Sequence, residues 1–155
     1  PPAGPAPQRT GRHPRLEAGD AVEAAPSIGP KTAERLGKAG VRTVAELIAI
    51  EPEALSRRLA ARHLDAGTIR SWQDQARLTI TLPDLTGTEA QLLVASGYRD
   101  LDVIGRADPA ALASALSRFA VSAEGERLLR GGKAPDADEI MRWIDDARRL
   151  SVKAA

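Results

Sequence analysis

One pattern is used twice along this chain, and that constrains its fold more than any other feature. At a shift of 57, Ile28 falls on Leu85, Ala33 on Ala90, Leu36 on Leu93, Gly40 on Gly97, Val44 on Leu101, Leu47 on Ile104, Pro52 on Pro109 and Leu55 on Leu112. The ends correspond as well, but at a shift of 71, where Trp72 and Ala76-Arg77 meet Trp143 and Ala147-Arg148. The second copy therefore carries an insertion, expected within 121–135, where Gly125, Gly131, Gly132 and Pro135 leave room for one short helix. Three segments follow: 1–25, 26–80 as the first unit, and 81–155 as a second, degenerate unit.

Within the first copy, Gly29-Pro30 opens a helix of about ten residues on which Ala33 and Leu36 recur at helical spacing until Gly40 stops it. Thr43 is placed to cap a second short helix bearing Val44, Leu47 and Ile48, and Pro52 opens a third with Leu55 and Leu59. Gly67 precedes a fourth, whose stripe is Ile69, Trp72, Ala76 and Ile80. The second copy ends on the matching stripe of Ile140, Trp143, Ile144 and Ala147. An all-α fold of two pseudo-repeated units is expected, with Trp72 and Trp143 buried at matching positions.

Composition agrees with packed helices. Only Trp72, Trp143, Tyr98 and Phe119 are aromatic while 29 residues are Ala, so the core has to come from Leu, Ile, Val and Ala. With no Cys there is no disulfide scaffold, thiolate zinc site or cysteine nucleophile. No apolar run is long enough to cross a membrane and no secretory pattern opens the chain, so the expectation is a cytoplasmic protein without membrane contact. Residues 1–25 begin Pro-Pro-Ala-Gly-Pro-Ala-Pro without apolar periodicity and read as a disordered linker, and a start inside such a tract reads as a piece of a longer protein. Charge is uneven: 1–25 balance three Arg against three acids, 26–80 carry nine Lys or Arg against six acids, and 81–155 carry ten against twelve. A polyanion would find its seat in the middle segment.

The run Pro26-Ser27-Ile28-Gly29-Pro30-Lys31-Thr32-Ala33, followed by Leu36, Ala39-Gly40 and Thr43-Val44, resembles the helix-hairpin-helix family. It is similar to the tandem form found in the amino-terminal domains of recombinases and the carboxy-terminal domain of RNA polymerase alpha subunits. The duplicated arrangement over roughly 26–151 also resembles a bacterial domain-of-unknown-function family built on such repeats. The resemblance implies a tight turn between two short helices that offers backbone N–H groups to a DNA phosphate and reads no bases. Carried over, Gly29, Pro30 and Lys31 match the phosphate-contacting turn, Ile28 and Ala33 its packing positions, and Ser27 stands where a first Gly is usual. The segment from Leu64 through Arg77 resembles a second hairpin, with Gly67 at its turn and Arg70 just beyond Ile69. The residue types suit this role: Gly29 allows close approach, Pro30 begins a helix with free N-terminal amides, and Lys31 adds positive charge.

The second copy departs from the pattern, with Asp84 and Thr86 at the two Gly positions and Glu89 following, and with Asp136, Asp138 and Glu139 opening its last helix. Acids there repel phosphate, and the helix macrodipole accounts for them without a metal-dependent nuclease. Arg57, Arg58 and Arg62 share a predicted helix face, for which a solvated polar surface is the simpler reading than a phosphate track. His13 and His63 have no companions at metal spacing, and Ser71, Ser96 and Ser114 have no adjacent base, so neither metal, cofactor nor enzymatic reaction is expected. Two functions remain open: a non-catalytic module that grips DNA phosphates without sequence readout, or a protein-docking or scaffold module, bound to a partner or to the rest of a longer chain, that has lost the DNA role.

Overall fold

The computed structural model describes residues 12–154, in which nine α-helices form and no strand does. The helix starts keep the register of the repeat. Helices α1 (Pro30–Lys38) and α5 (Gly87–Ala95), α2 (Val44–Ala49) and α6 (Leu101–Gly105), and α3 (Pro52–Leu59) and α7 (Pro109–Ala120) each begin 57 residues apart. Helices α4 (Ala66–Thr81) and α9 (Ala137–Ala154) begin 71 apart, and α8 (Ala123–Leu129), which has no counterpart, lies in the expected insertion. The backbone repeats even where that is unfavourable. Ser27 and Asp84, 57 residues apart, both adopt positive φ (70° and 60°), a conformation that costs an L-residue energy and recurs only when both copies trace one path. Gly40 and Gly97, at φ of 93° and 94°, end α1 and α5 in the same left-handed turn.

Apolar positions from each copy close a core of their own, and both tryptophans are buried as expected. The border between units is less sharp than 80/81. Ile69, Trp72 and Ala76 of α4 pack in the first core, whereas Leu78, two residues further on, and Leu82 at the helix's end pack in the second. One helix thus serves two cores, because a 16-residue helix is about 24 Å long and outreaches a single small core.

The linker expectation fails from residue 12 onward; residues 1–11 lie outside the described residues. Leu16, Val22 and Ala25 are buried in the first core, and Ala21 forms an antiparallel bridge to Thr43. Backbone bonds from Val22 N to Arg42 O (2.9 Å), Val44 N to Asp20 O (3.0 Å) and Ala45 N to Ala18 O (2.8 Å) stitch the segment down. A strap of this kind needs only isolated apolar anchors and backbone pairing, neither of which has a period to detect. Its leading residues cross to the second unit. Arg12 donates from Nε to Asp84 Oδ2 (2.9 Å) and from Nη2 to the Pro83 carbonyl (3.2 Å), and it ion-pairs with the buried Asp146 (2.9 Å). Arg15 donates to the Asp84 carbonyl (3.0 Å), and Asp84 N donates to the His13 carbonyl (3.0 Å).

The two units close one equivalent gap by different chemistry. In the first, Ile48 occupies the last turn of α2, and the buried Gln73 of α4 reaches across to donate to the carbonyls of Leu47 (3.0 Å) and Ile50 (2.7 Å). In the second, Gly105 stands in place of Ile48, and α6 lies so close to α9 that a Cβ there would sit 3.1 Å from the Arg148 backbone. Ile144, replacing Gln73, needs no carbonyl partner. Arg77 and Arg148 are equivalent, and each donates to the carbonyl of that position, Ile48 O (3.3 Å) and Gly105 O (3.3 Å).

Candidate nucleic-acid interface

Two residues define the turn before α1, in different ways. Ser27 sits at positive φ, which explains why glycine suits this position, and its hydroxyl donates inward to Gln75 Oε1 (2.7 Å). Gly29 is the N-cap of α1 in an extended conformation (φ −88°, ψ 177°) that any residue can adopt. Its value is therefore not conformational. No atom lies within 4 Å of where its Cβ would be, so the glycine leaves the helix start open to solvent.

Pro30 occupies the first helical position, and the first intrahelical bond runs from Ala33 N to the Gly29 carbonyl (2.9 Å). The amides of Lys31 and Thr32 precede that bond and have no intrahelical acceptor. No side chain caps them. Each of the other eight α-helices among the described residues does receive a side-chain oxygen at its start, from Thr43, Glu51, Asp65, Thr86, Asp100, Asp108, Ser122 and Asp136 in turn. Lys31 is exposed beside the open amides.

The second predicted contact is placed differently. Gly67 does not precede α4; it is the second residue of that helix, because Asp65 is the N-cap and accepts from Thr68 N (2.8 Å). That bond, with smaller help from the Thr68 hydroxyl and the Gly67 amide, holds the Asp65 carboxyl below its ordinary pKa, so a full negative charge guards this helix start. Arg70 pairs with Glu53 of α3. Gly67 and Arg70 line a groove with Pro52, Arg77 and Arg99, whereas the groove alongside α1 is lined by Arg35, Lys38, Arg58 and Leu59. The two predicted contact regions thus border different grooves.

Arg35 and Lys38 escaped the sequence reading although their signal was present: Lys31, Arg35 and Lys38 stand at i, i+4 and i+7 and so fall on one stripe of α1. Of the three arginines assigned to one helix face, Arg57 and Arg58 lie in the last turn of α3, and Arg62 lies beyond its end in the following loop. Arg58 donates to the Ala39 carbonyl (3.2 Å), binding the end of α3 to the end of α1.

In the second unit the equivalent helix start is capped and crowded by its neighbours. Thr86 accepts from Glu89 N (3.1 Å), and Glu89 Oε1 accepts from Thr86 N (2.9 Å), a complete capping box. Glu139 faces Glu89, and burial first, then this neighbouring acid, push its carboxyl above the usual glutamate range. Gly87 rests against Pro26 of the first unit, with 3.6 Å between the Pro26 side chain and the site of a Cβ. Helix α8 shares a groove with Thr88 and Gln91, the equivalents of Lys31 and Glu34, so the insertion flanks the face that α1 leaves open, with Thr88 itself still exposed. Gly125, expected to bound that insertion, instead lies inside α8, where a Cβ would fall 1.9 Å from the Phe119 carbonyl oxygen.

Among the described residues no three His, Cys, Asp or Glu side chains converge as a metal site, and no helix is long and apolar enough to cross a membrane. Residues 26–150 match the family described as a domain of unknown function, DUF4332. No curated protein and no solved structure matches the chain.

Proposed function

We propose that this chain, which belongs to the DUF4332 family of unknown function, is a non-catalytic module that binds DNA through its phosphate backbone at the turn Ser27–Lys31. The observation that carries this reading is the uncapped start of α1, with Gly29 leaving it open and Lys31 beside it, in a molecule that caps its other α-helices. Free amides at a helix N-terminus and an adjacent ammonium favour an anion, and the turn has the residue pattern that resembles a helix-hairpin-helix. Such contacts touch phosphate oxygens and see no base edges, so binding is sequence-independent and salt-sensitive. The contact is assigned to the α1 side and not to the start of α4, because Asp65 guards that start and Glu53 engages Arg70.

Titration of the chain with a duplex of arbitrary sequence at about 50 mM salt tests this, with binding the same for unrelated sequences and a Kd of roughly 10⁻⁴ to 10⁻⁶ M when extrapolated to physiological salt. Lys31→Glu should weaken binding to every sequence alike and lower the salt slope by about one. The competing reading, a protein-docking module, draws on the acidic, capped second unit. It takes over if the wild-type chain shows no DNA binding at that salt, or if Lys31→Glu leaves binding intact.

A further inference from the structure

We infer that the phosphate-binding surface does not end at the α1 turn but runs along the helix, through Arg35 and Lys38, into the groove where the ends of α1 and α3 meet at Arg58. This inference rests on the proposed DNA-binding function and extends its footprint. Three observations carry it.

The first is geometry. Lys31, Arg35 and Lys38 form one exposed stripe that spans about 10 Å at a rise of about 1.5 Å per residue, and it starts at the open helix end. Duplex DNA carries about one charge per 1.7 Å of its axis, so a stripe of that length faces several phosphates at once. Arg58 then extends the same cationic surface onto a second helix, since it lines the groove with Arg35 and Lys38 and no acid lines it with them.

The second observation weighs against an ordinary structural role. Basic residues in the last turn of a helix often serve to offset its macrodipole. Here the molecule contains its own control. Helix α5 ends on the same backbone as α1, with Ser96 at φ −86° and ψ 1° against Ala39 at −89° and 2°, followed by Gly97 and Gly40 in the same left-handed turn. Its last turn holds no basic residue. The equivalents of Lys31, Arg35, Lys38 and Arg58 are Thr88, Leu92, Ala95 and Ala115, and Leu92 is buried in the second core. This helix end thus forms without the cations, and they recur only where the helix start is open.

The third is what opposes the cations. Glu34 is the acid on this side of α1, ion-pairing with Lys38 at 3.5 Å, with both side chains largely exposed. An exposed pair of this kind is weak and yields readily to a phosphate.

The test is the salt dependence of duplex binding by the whole chain. Four cations at a slope of about 0.9 each give a wild-type slope near −3.6, against about −0.9 if Lys31 acts alone. Arg35→Gln with Lys38→Gln should flatten the slope by about 1.8 and weaken binding at least tenfold at about 50 mM salt, while the charge-conserving pair Arg35→Lys with Lys38→Arg should keep the wild-type slope. Glu34→Gln should strengthen binding severalfold, a gain that misfolding cannot mimic. Arg127→Gln with Arg130→Gln, on the second unit, should leave the slope unchanged. If Lys31→Glu abolishes binding but the Arg35/Lys38 double variant keeps the full slope, the extended surface is wrong and the α1 turn alone binds. If the wild-type chain does not bind, both readings fall together.

Discussion

The first and second units trace one backbone and finish with opposite surfaces. Both turn at a positive-φ residue, both start a helix three residues later, and both bury a tryptophan of the last helix. In the first unit that helix start is uncapped and leads into a cationic stripe. In the second it is closed by the Thr86–Glu89 box, faced by Glu139, pressed against Pro26 and flanked by α8. The difference shows that a fold can be copied while its outer surface is not. The core positions answer to packing and keep their apolar character, but the outer face answers only to what approaches it. Where that face is packed, its residues become apolar: Leu92, the counterpart of Arg35, is buried in the second core, while Thr88, the counterpart of Lys31, stays exposed and carries no charge.

The comparison can be broken most forcefully in the cores. Trp72→Ala and Trp143→Ala should each cost about 3–5 kcal/mol, read from denaturant midpoints, because both indoles are buried at equivalent positions. Equal costs would support equivalent units, and a tryptophan that proves dispensable would break the equivalence. Because α4 contributes to both cores, either variant should unfold the molecule as a whole instead of leaving one unit intact.

Exchanging the caps sharpens the comparison at the site itself. Gly29→Asp should give α1 the side-chain cap it lacks and raise stability by a few tenths of a kcal/mol, since aspartate caps only slightly better than glycine. The same change should cut DNA binding at least tenfold at about 50 mM salt, by filling the open amides with a carboxylate. Thr86→Ala should cost about 1 kcal/mol and confer no DNA binding. A Gly29→Asp chain that binds DNA as before would show that the open helix start is not the contact.

The smallest expected effect concerns pH and again separates the units. Glu139 in the second unit has its carboxyl raised above the ordinary 4.5, so its ionisation opposes folding and stability is lost as pH climbs from 4.5 through the folded value. Asp65 and Glu46 in the first unit are lowered by the backbone amides they accept, from Thr68 and Arg42 chiefly; they contribute stability above their ordinary values, and it is lost as pH falls through the folded ones. Glu139→Gln should therefore raise Tm by no more than about 2–4 °C at pH 7 and by nothing at pH 4, measured by thermal melts. An equal gain at both pH values would mean that charge is not the cause.

The helix starts, the repeat and the insertion were legible in the sequence because each is a local matter. A proline at N1, a Thr or Asp before it and apolar residues three and four apart act within one or two turns, so they carry the same meaning wherever they occur. Gly29 and Pro30 could be placed at a helix start on that basis, as the tryptophans could be placed in the core. Tertiary structure alone decided the rest. The strap from Arg12 to Ala25 carries no period, and its arginine meets Asp84 across 72 positions of sequence. Gln73 looks like any polar helix residue until two carbonyls of α2 are brought before it. Gly67 seemed to open a helix until Asp65 took the cap and shifted the start by two residues. Above all, the sequence presents two turns that differ by a few side chains, and only packing reveals that one faces solvent while the other lies against Pro26 and α8, because exposure belongs to the surroundings of a residue and not to the residue.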